Sequence, residues 1–196
     1  MGAAFGQSIY TPEDTAANAL IANDRPYAGW VYGTISVHAE TGKTSTLATH
    51  DTLDTVELQI SLVGPYALSK QVQNGVHELI GVAKSNGWDS QLENEPGLML
   101  IGERRWRSPP WKILGVQMDA IPHIGGSLGN VMTFASAGAM FRIGQELDID
   151  FGPPLIRPSL SGLAAVNRKG DLAWYLFAGA QGRAVVRDIF LDGNTF

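Results

Sequence analysis

Along most of this chain apolar and polar side chains alternate one by one. From 30 to 38, Val31, Ile35 and Val37 share one face with Gly33, while Trp30, Tyr32, Thr34, Ser36 and His38 share the other. The stretch 54–64 alternates most cleanly, with Val56, Leu58, Ile60 and Leu62 pointing one way and Glu57, Gln59 and Ser61 the other. A period of two marks a strand with one apolar face. The same reading predicts strands at 3–10, 96–107, 130–144, 155–163 and 171–191, with a hairpin at 111–122. In 171–191, Leu172, Trp174, Leu176, Ala178 and Ala180 take one side and Tyr175, Gln181, Arg183 and Arg187 the other. That makes about eight strands in a single domain over residues 1–196, with no linker and no internal repeat.

One stretch breaks the pattern. Between 66 and 82, Val72, Val76, Leu79 and Ile80 recur at helical spacing. They predict one helix resting against a sheet. Gln73 and His77 are four apart, so they stack one turn above the other on a neighbouring polar ridge. That ridge is expected to face the inner surface of a curved wall. A connector helix with a solvated Gln and His accounts for the same residues.

Composition narrows the class. Hydrophobic residues make up 44% and charged residues 17%, with 23 Gly and a net charge of −5. The chain carries no run of more than two Lys or Arg, which argues against a nucleic-acid partner. It has no Cys, which excludes disulfides and thiol catalysis. The N-terminus lacks the basic start and long apolar core of a signal peptide, and no stretch qualifies as a spanning helix. Any membrane contact is then made by strands or at the interface. Aromatics gather near strand ends: Tyr27, Trp30, Tyr32, Trp106, Trp111, Trp174 and Tyr175. An all-β antiparallel transmembrane barrel with aromatic girdles fits this pattern, and so does a soluble sandwich or barrel.

Four clusters carry candidate chemistry. The run 125–129, G-G-S-L-G, matches a nucleophile elbow around Ser127, but the residues that follow favour a strand over the required helix. A Gly-rich hairpin turn is the better reading, and a soluble serine esterase using Ser127 is the weaker functional one. The run 22–30 sets Asp24, Arg25 and Tyr27 at a strand start, where Arg25 can hold an anion or a developing oxyanion, or else simply pair with Asp24. Residues 103–107 with Lys112 form a basic cluster beside Trp residues, suited to lipid phosphates or to turn solubility. The polar loop 87–96 offers Asp89, Glu93 and Glu95, of which a hard cation could use one; a solvated loop is the default.

Taken in order, G-Q-S-I-Y-T-P-E-D (6–14), D-R-P-Y-A-G-W (24–30), G-P-Y-A-L (64–68), Q-V-Q-N-G-V-H-E-L (71–79), G-W-D-S-Q-L-E-N-E-P (87–96) and G-G-S-L-G-N (125–130) resemble the lipid A 3′-O-deacylase family, LpxR. The resemblance implies a 12-stranded antiparallel up-and-down β-barrel in the bacterial outer membrane, of which this chain would hold about eight strands. It implies a Ca²⁺-dependent esterase that removes the 3′-linked acyloxyacyl group of lipid A, with lipopolysaccharide and outer-membrane lipid as partners. The family's helix leans on the barrel wall and supplies a Gln and a His four apart, matching Gln73 and His77, and Arg25 is the match for its basic residue. Asp24, Tyr27, Trp88, Gln91 and Glu95 fall in the motifs as supporting residues. An acidic residue expected shortly after the family's His is missing here, where Ala83 and Lys84 stand. Against the family pattern the chain is expected to start after an N-terminal hairpin that bears most of the calcium ligands, and to stop before the last strands. No residue of this sequence is assigned as a metal ligand.

Overall fold

A computed structural model describes residues 1–42, 51–153 and 173–195. The strands are β1 (Gly2–Tyr10), β2 (Ala28–Thr41), β3 (Asp51–Val63), β4 (Glu95–Arg107), β5 (Trp111–Ile113), β6 (Val116–Gly129), β7 (Met132–Gln145) and β8 (Trp174–Asp188). They form one sheet in the order β1-β2-β3-β4-β6-β7-β8, every neighbour antiparallel, with β5 as a short hairpin on β6. This is the up-and-down meander the resemblance implies, built from strands the alternation predicts. The predicted strand at 155–163 lies outside the described residues.

Alternation gives the wall two unlike faces. Ile35, Val37, Val56, Leu58, Ile60, Leu98, Leu100, Ile124, Phe141 and Leu176 are exposed on the outside. Thr34, Ser36, Thr55, Glu57, Gln59, Glu103, Arg105, His123 and Arg142 are buried on the inside. An apolar outside and a polar inside is the reverse of a water-soluble sandwich and the arrangement of a barrel in lipid. The inner charges are paired, as burial demands. Arg142 forks onto Asp119 at 2.9 and 2.5 Å, reaches Asp150, and donates to the Leu147 carbonyl at 2.6 Å. Arg107 pairs with Asp51 and Arg105 with Glu103. The predicted basic cluster is therefore split by the strand period. Arg105 and Arg107 turn inward, while Arg104 turns outward and pairs with Asp54 at 2.6 and 2.7 Å.

The end of the sheet where β1, β3, β6 and β8 finish is closed from inside. The short helix α2 (Ile189–Asp192) follows β8 and buries Ile189 and Phe190 against Trp30, Tyr32, Val63, Leu92, Met99, Ile101, Val131 and Met132. The Tyr10 ring stacks on Phe190 at 4.0 Å, which draws the end of β1 toward the end of β8. Tyr27, Trp30 and Tyr32, expected in a girdle, are buried at this end instead. They sit at inward-facing positions of β2 or in the loop packed before it, so the girdle reading fails for them. Trp111 and Trp174 are exposed near the opposite end, in keeping with it. The run 125–129 lies within β6, and the turn comes only at 130–131, so the predicted Gly-rich turn is strand. Among the described residues the edges β1 and β8 run the same way, because seven strands alternate along the path. Closing such a wall with antiparallel pairs alone takes an odd number of further strands.

Candidate active site on the helix outside the wall

The chain between β3 and β4 builds the only α-helix of more than one turn among the described residues. A 3₁₀ turn over Pro65–Ala67 comes first, then Leu68 in the left-handed conformation, then α1 (Ser69–Leu79). Gly81, at φ 71°, ends the helix, and Val82 N–H returns to the His77 carbonyl at 2.8 Å. The helix is thus shorter than the predicted 66–82. The αL residue at 68 and the αL glycine at 81 break the regular pattern on either side.

The helix leans on the outer surface of the wall, not the inner one. A side chain on Gly29 would run into Ser69 Oγ at 2.6 Å and Ala67 Cβ at 3.1 Å. Gly29 alternates with Ala28 and Trp30, both buried inside, so it faces out. Gln7, on the outer face of β1, donates from Nε2 to the Ala67 carbonyl at 2.6 Å. Two small residues and a glycine let the backbones approach, which a larger residue at 29 would prevent. The predicted apolar face does not rest on the sheet. Val72, Val76, Leu79 and Ile80 are exposed, and they add to the apolar exterior formed by Phe5, Ile35 and Ile60.

What α1 packs against is its own following loop, along the polar ridge. Lys70 pairs with Asp89 at 2.9 Å. Gln73 Oε1 accepts from the Trp88 indole at 3.0 Å. Asn74 Oδ1 accepts from Ser85 N–H at 3.1 Å, and His77 Nδ1 meets the Ala83 carbonyl at 2.7 Å. The partners run 89, 88, 85, 83 as the helix runs 70, 73, 74, 77, so loop and ridge close like an antiparallel zipper. The loop is anchored in turn. Trp88 is fully buried against Tyr27 at 5.0 Å between ring centroids, and Leu92 N–H bonds the Tyr27 carbonyl at 2.9 Å. Asn86 and Ser90 bond backbone carbonyls of the 15–18 segment.

These bonds fix both side chains of the predicted pair. A carbonyl oxygen only accepts, so His77 carries its proton on Nδ1 when neutral, and Nε2 is left as the acceptor. An indole N–H only donates, so the atom it meets on Gln73 is the oxygen. No described residue bonds His77 Nε2 or the Gln73 NH₂, and both side chains are half-buried. Their Cβ atoms are about 5–6 Å apart, as for any residues one turn apart. Where the resemblance leads one to expect an acid after His77, the chain has Ala83, whose backbone carbonyl bonds His77 Nδ1, a partner that residue identity cannot reveal.

The other predicted residues fall elsewhere. Arg25 is exposed at the mouth of β2, its guanidinium 6.0 Å from the Tyr10 ring and within electrostatic reach of Asp188. No bond joins it to Gln73 or His77. Asp24 accepts from Glu13 N–H at 2.6 Å and Arg25 N–H at 2.7 Å, and these bonds hold its carboxyl below the usual range. Gln91 bonds the Trp88 carbonyl at 3.0 Å and so supports the loop. Glu95 is buried away from the helix, where it binds Asn130, Asn194 and Thr195 and latches the segment after β8. Ser127 is buried in β6 and donates to the Met132 carbonyl at 2.9 Å. It is followed by a hairpin rather than a helix, so the serine-esterase reading fails. No three acidic or His side chains converge as a metal cage among the described residues, and none of them is assigned as a Ca²⁺ ligand.

The model of the family described as outer membrane protein LpxR matches residues 1–196. The chain belongs to the LpxR family. Among solved structures it is similar to LpxR from Salmonella typhimurium, at 25% identity and a TM-score of 0.81, over 96% of this chain and 62% of that one. It therefore spans less than two thirds of the length of that relative. No curated protein matches it. The family consists of outer membrane β-barrel proteins, and no described helix of this member is long and apolar enough to cross a membrane.

Proposed function

We propose that this chain carries the base-bearing helix of a lipid A 3′-O-deacylase-like esterase, held by its apolar outer wall in the bacterial outer membrane. The observation that supports this most directly is the fixed His77 imidazole, with Nδ1 committed to the Ala83 carbonyl and Gln73 one helical turn away. In this reading a lipid ester lies between α1 and the wall, its acyl chains along the exposed Val72, Val76 and Leu79 and the outer strands. His77 Nε2 takes a proton from a water molecule as the water oxygen attacks the ester carbonyl. Gln73 orients that water or donates to the oxyanion. The tetrahedral intermediate collapses, the bond to the sugar oxygen breaks, and the imidazolium returns its proton to the leaving alkoxide. Arg25 supplies a cation at the rim for an anionic headgroup. Calcium remains a proposal from the resemblance alone; no described residue is assigned as its ligand, and no step here is routed through it.

The test is mass spectrometry of lipid A in mixed micelles, with the protein reconstituted in outer-membrane lipid. Loss of the 3′ acyloxyacyl group should fall at least 10²-fold in His77→Ala, the scale of general-base catalysis. Wild-type rates in that variant would rule His77 out as the base. No deacylation by a folded wild-type protein would favour a non-catalytic barrel.

A further inference from the structure

Gln73 has two chemically different ends, and either one could face the reacting ester. We propose that Trp88 is a positioning residue that decides between them. Its indole N–H holds Gln73 Oε1 at 3.0 Å, so the carboxamide presents its NH₂ and acts as an oxyanion donor rather than as an acceptor for water. The inference rests on the deacylase reading for its kinetic consequence, but the bond itself does not.

Three features of the molecule make Trp88 fit for this task. It can only donate, so it selects one of the two amide orientations without ambiguity. It is anchored outside the helix: the ring is fully buried on the Tyr27 side chain, and Tyr27 OH is bonded to the Thr15 carbonyl at 3.0 Å. Gly87, just before it, lies so close to Tyr27 and the Ala17 carbonyl that a Cβ there would sit 2.5 and 2.6 Å from them. The indole is thus referenced to the start of β2, not to α1. Finally, the next bond along the zipper, His77 Nδ1 to the Ala83 carbonyl, sets the neighbouring imidazole in the complementary sense. One side chain is left able to accept a proton, the other able to donate a hydrogen bond. Acyl transfer needs that division of labour, because the base must lose no lone pair and the oxyanion must meet N–H groups.

A double-mutant cycle separates this role from simple packing. Trp88→Phe keeps an aromatic ring on Tyr27 and removes the donor. It should lower kcat about tenfold, as expected when a neutral hydrogen bond that selects one orientation is lost, with KM little changed. In a Gln73→Ala background the same change should cost nothing further. Gln73→Glu keeps an acceptor for the indole but has no N–H to offer, and should be as slow as Gln73→Ala. Equal losses from Trp88→Phe with and without Gln73 would overturn the proposal, as would near-normal activity in Gln73→Glu. A readout independent of activity is the indole N–H resonance of Trp88 by NMR. It should exchange slowly in the wild type and shift on Gln73→Leu, yet stay in place on His77→Ala. An indole signal indifferent to Gln73→Leu refutes the bond. Failure of His77→Ala to slow deacylation, with the indole signal behaving as stated, refutes His77 as the base, and no deacylation by the folded wild type refutes the deacylase reading; either result leaves the Trp88–Gln73 bond standing.

Discussion

Replacing Gly29 by Val tests whether α1 is held by the wall or only by its own loop. The Cβ at position 29 would lie 2.6 Å from Ser69 Oγ, 2.8 Å from Ser69 Cβ and 3.1 Å from Ala67 Cβ. None of these atoms is the end of a long side chain, so the backbone around 67–69 must retreat. Overpacking of this kind costs about 1–3 kcal/mol. The wall side offers the close Ser69 and Ala67 contacts and one side-chain bond, from Gln7, worth about 1 kcal/mol. The ridge side offers four polar contacts to the loop, from Lys70, Gln73, Asn74 and His77. The weaker side should yield: helix and loop move away together, and the strands stay as they are. An isolated helix of 11 residues is marginal in water, so its persistence depends on the loop clamp. Hydrogen exchange by mass spectrometry should show faster exchange in 65–70, near-normal exchange in 72–80, and no change in β3 or β4. If the proposed function holds, deacylation falls about 10²-fold, the cost of a misplacement near 1 Å. Adding Ser69→Gly should restore part of both. Uniform exchange across the helix, or normal exchange at 65–70, would refute the view that the small-residue contact at Gly29 docks it.

Three more outcomes follow from the geometry. Arg142→Met should destabilise the protein by about 3–5 kcal/mol in chemical unfolding, because it strands the buried Asp119; Arg142→Met with Asp119→Leu should recover most of that. Gly87→Ala should displace Trp88 from Tyr27, cost about 1–3 kcal/mol and change the near-ultraviolet circular dichroism, since both neighbours of the new Cβ are rigid. The Asp24 carboxyl is held below its ordinary value of 3.8 by the Glu13 and Arg25 amides, so its stabilising effect is complete above that value and fades as pH falls through the lower folded value. Limited proteolysis of the 11–27 loop should therefore be unchanged from neutral pH down to about 4 and speed up below it, while Asp24→Asn shows the faster cleavage at all pH.

The strands, their number to within one or two, and the two unlike faces of the wall were written in the sequence, because a period of two acts residue by residue. So were the helix and the one-turn spacing of Gln73 and His77, since a period of 3.6 is equally local. The split of Arg104 from Arg105 and Arg107 was legible by the same rule, though their charge drew attention to them as one cluster. Tertiary structure alone decided the side of the wall on which α1 sits. Amphipathicity pointed the apolar stripe at the sheet, but the close approach of Ala67 and Ser69 to Gly29 and the zipper to residues 83–89 hold the helix by other faces. It also decided the atoms that orient the pair. A backbone carbonyl at Ala83 and an indole N–H fifteen positions from Gln73 leave no mark at helical spacing, and only the folded loop brings them to the ridge. Periodicity records which face of an element is apolar; which neighbour meets that face depends on contacts between residues far apart in the chain, and those exist only once it has folded.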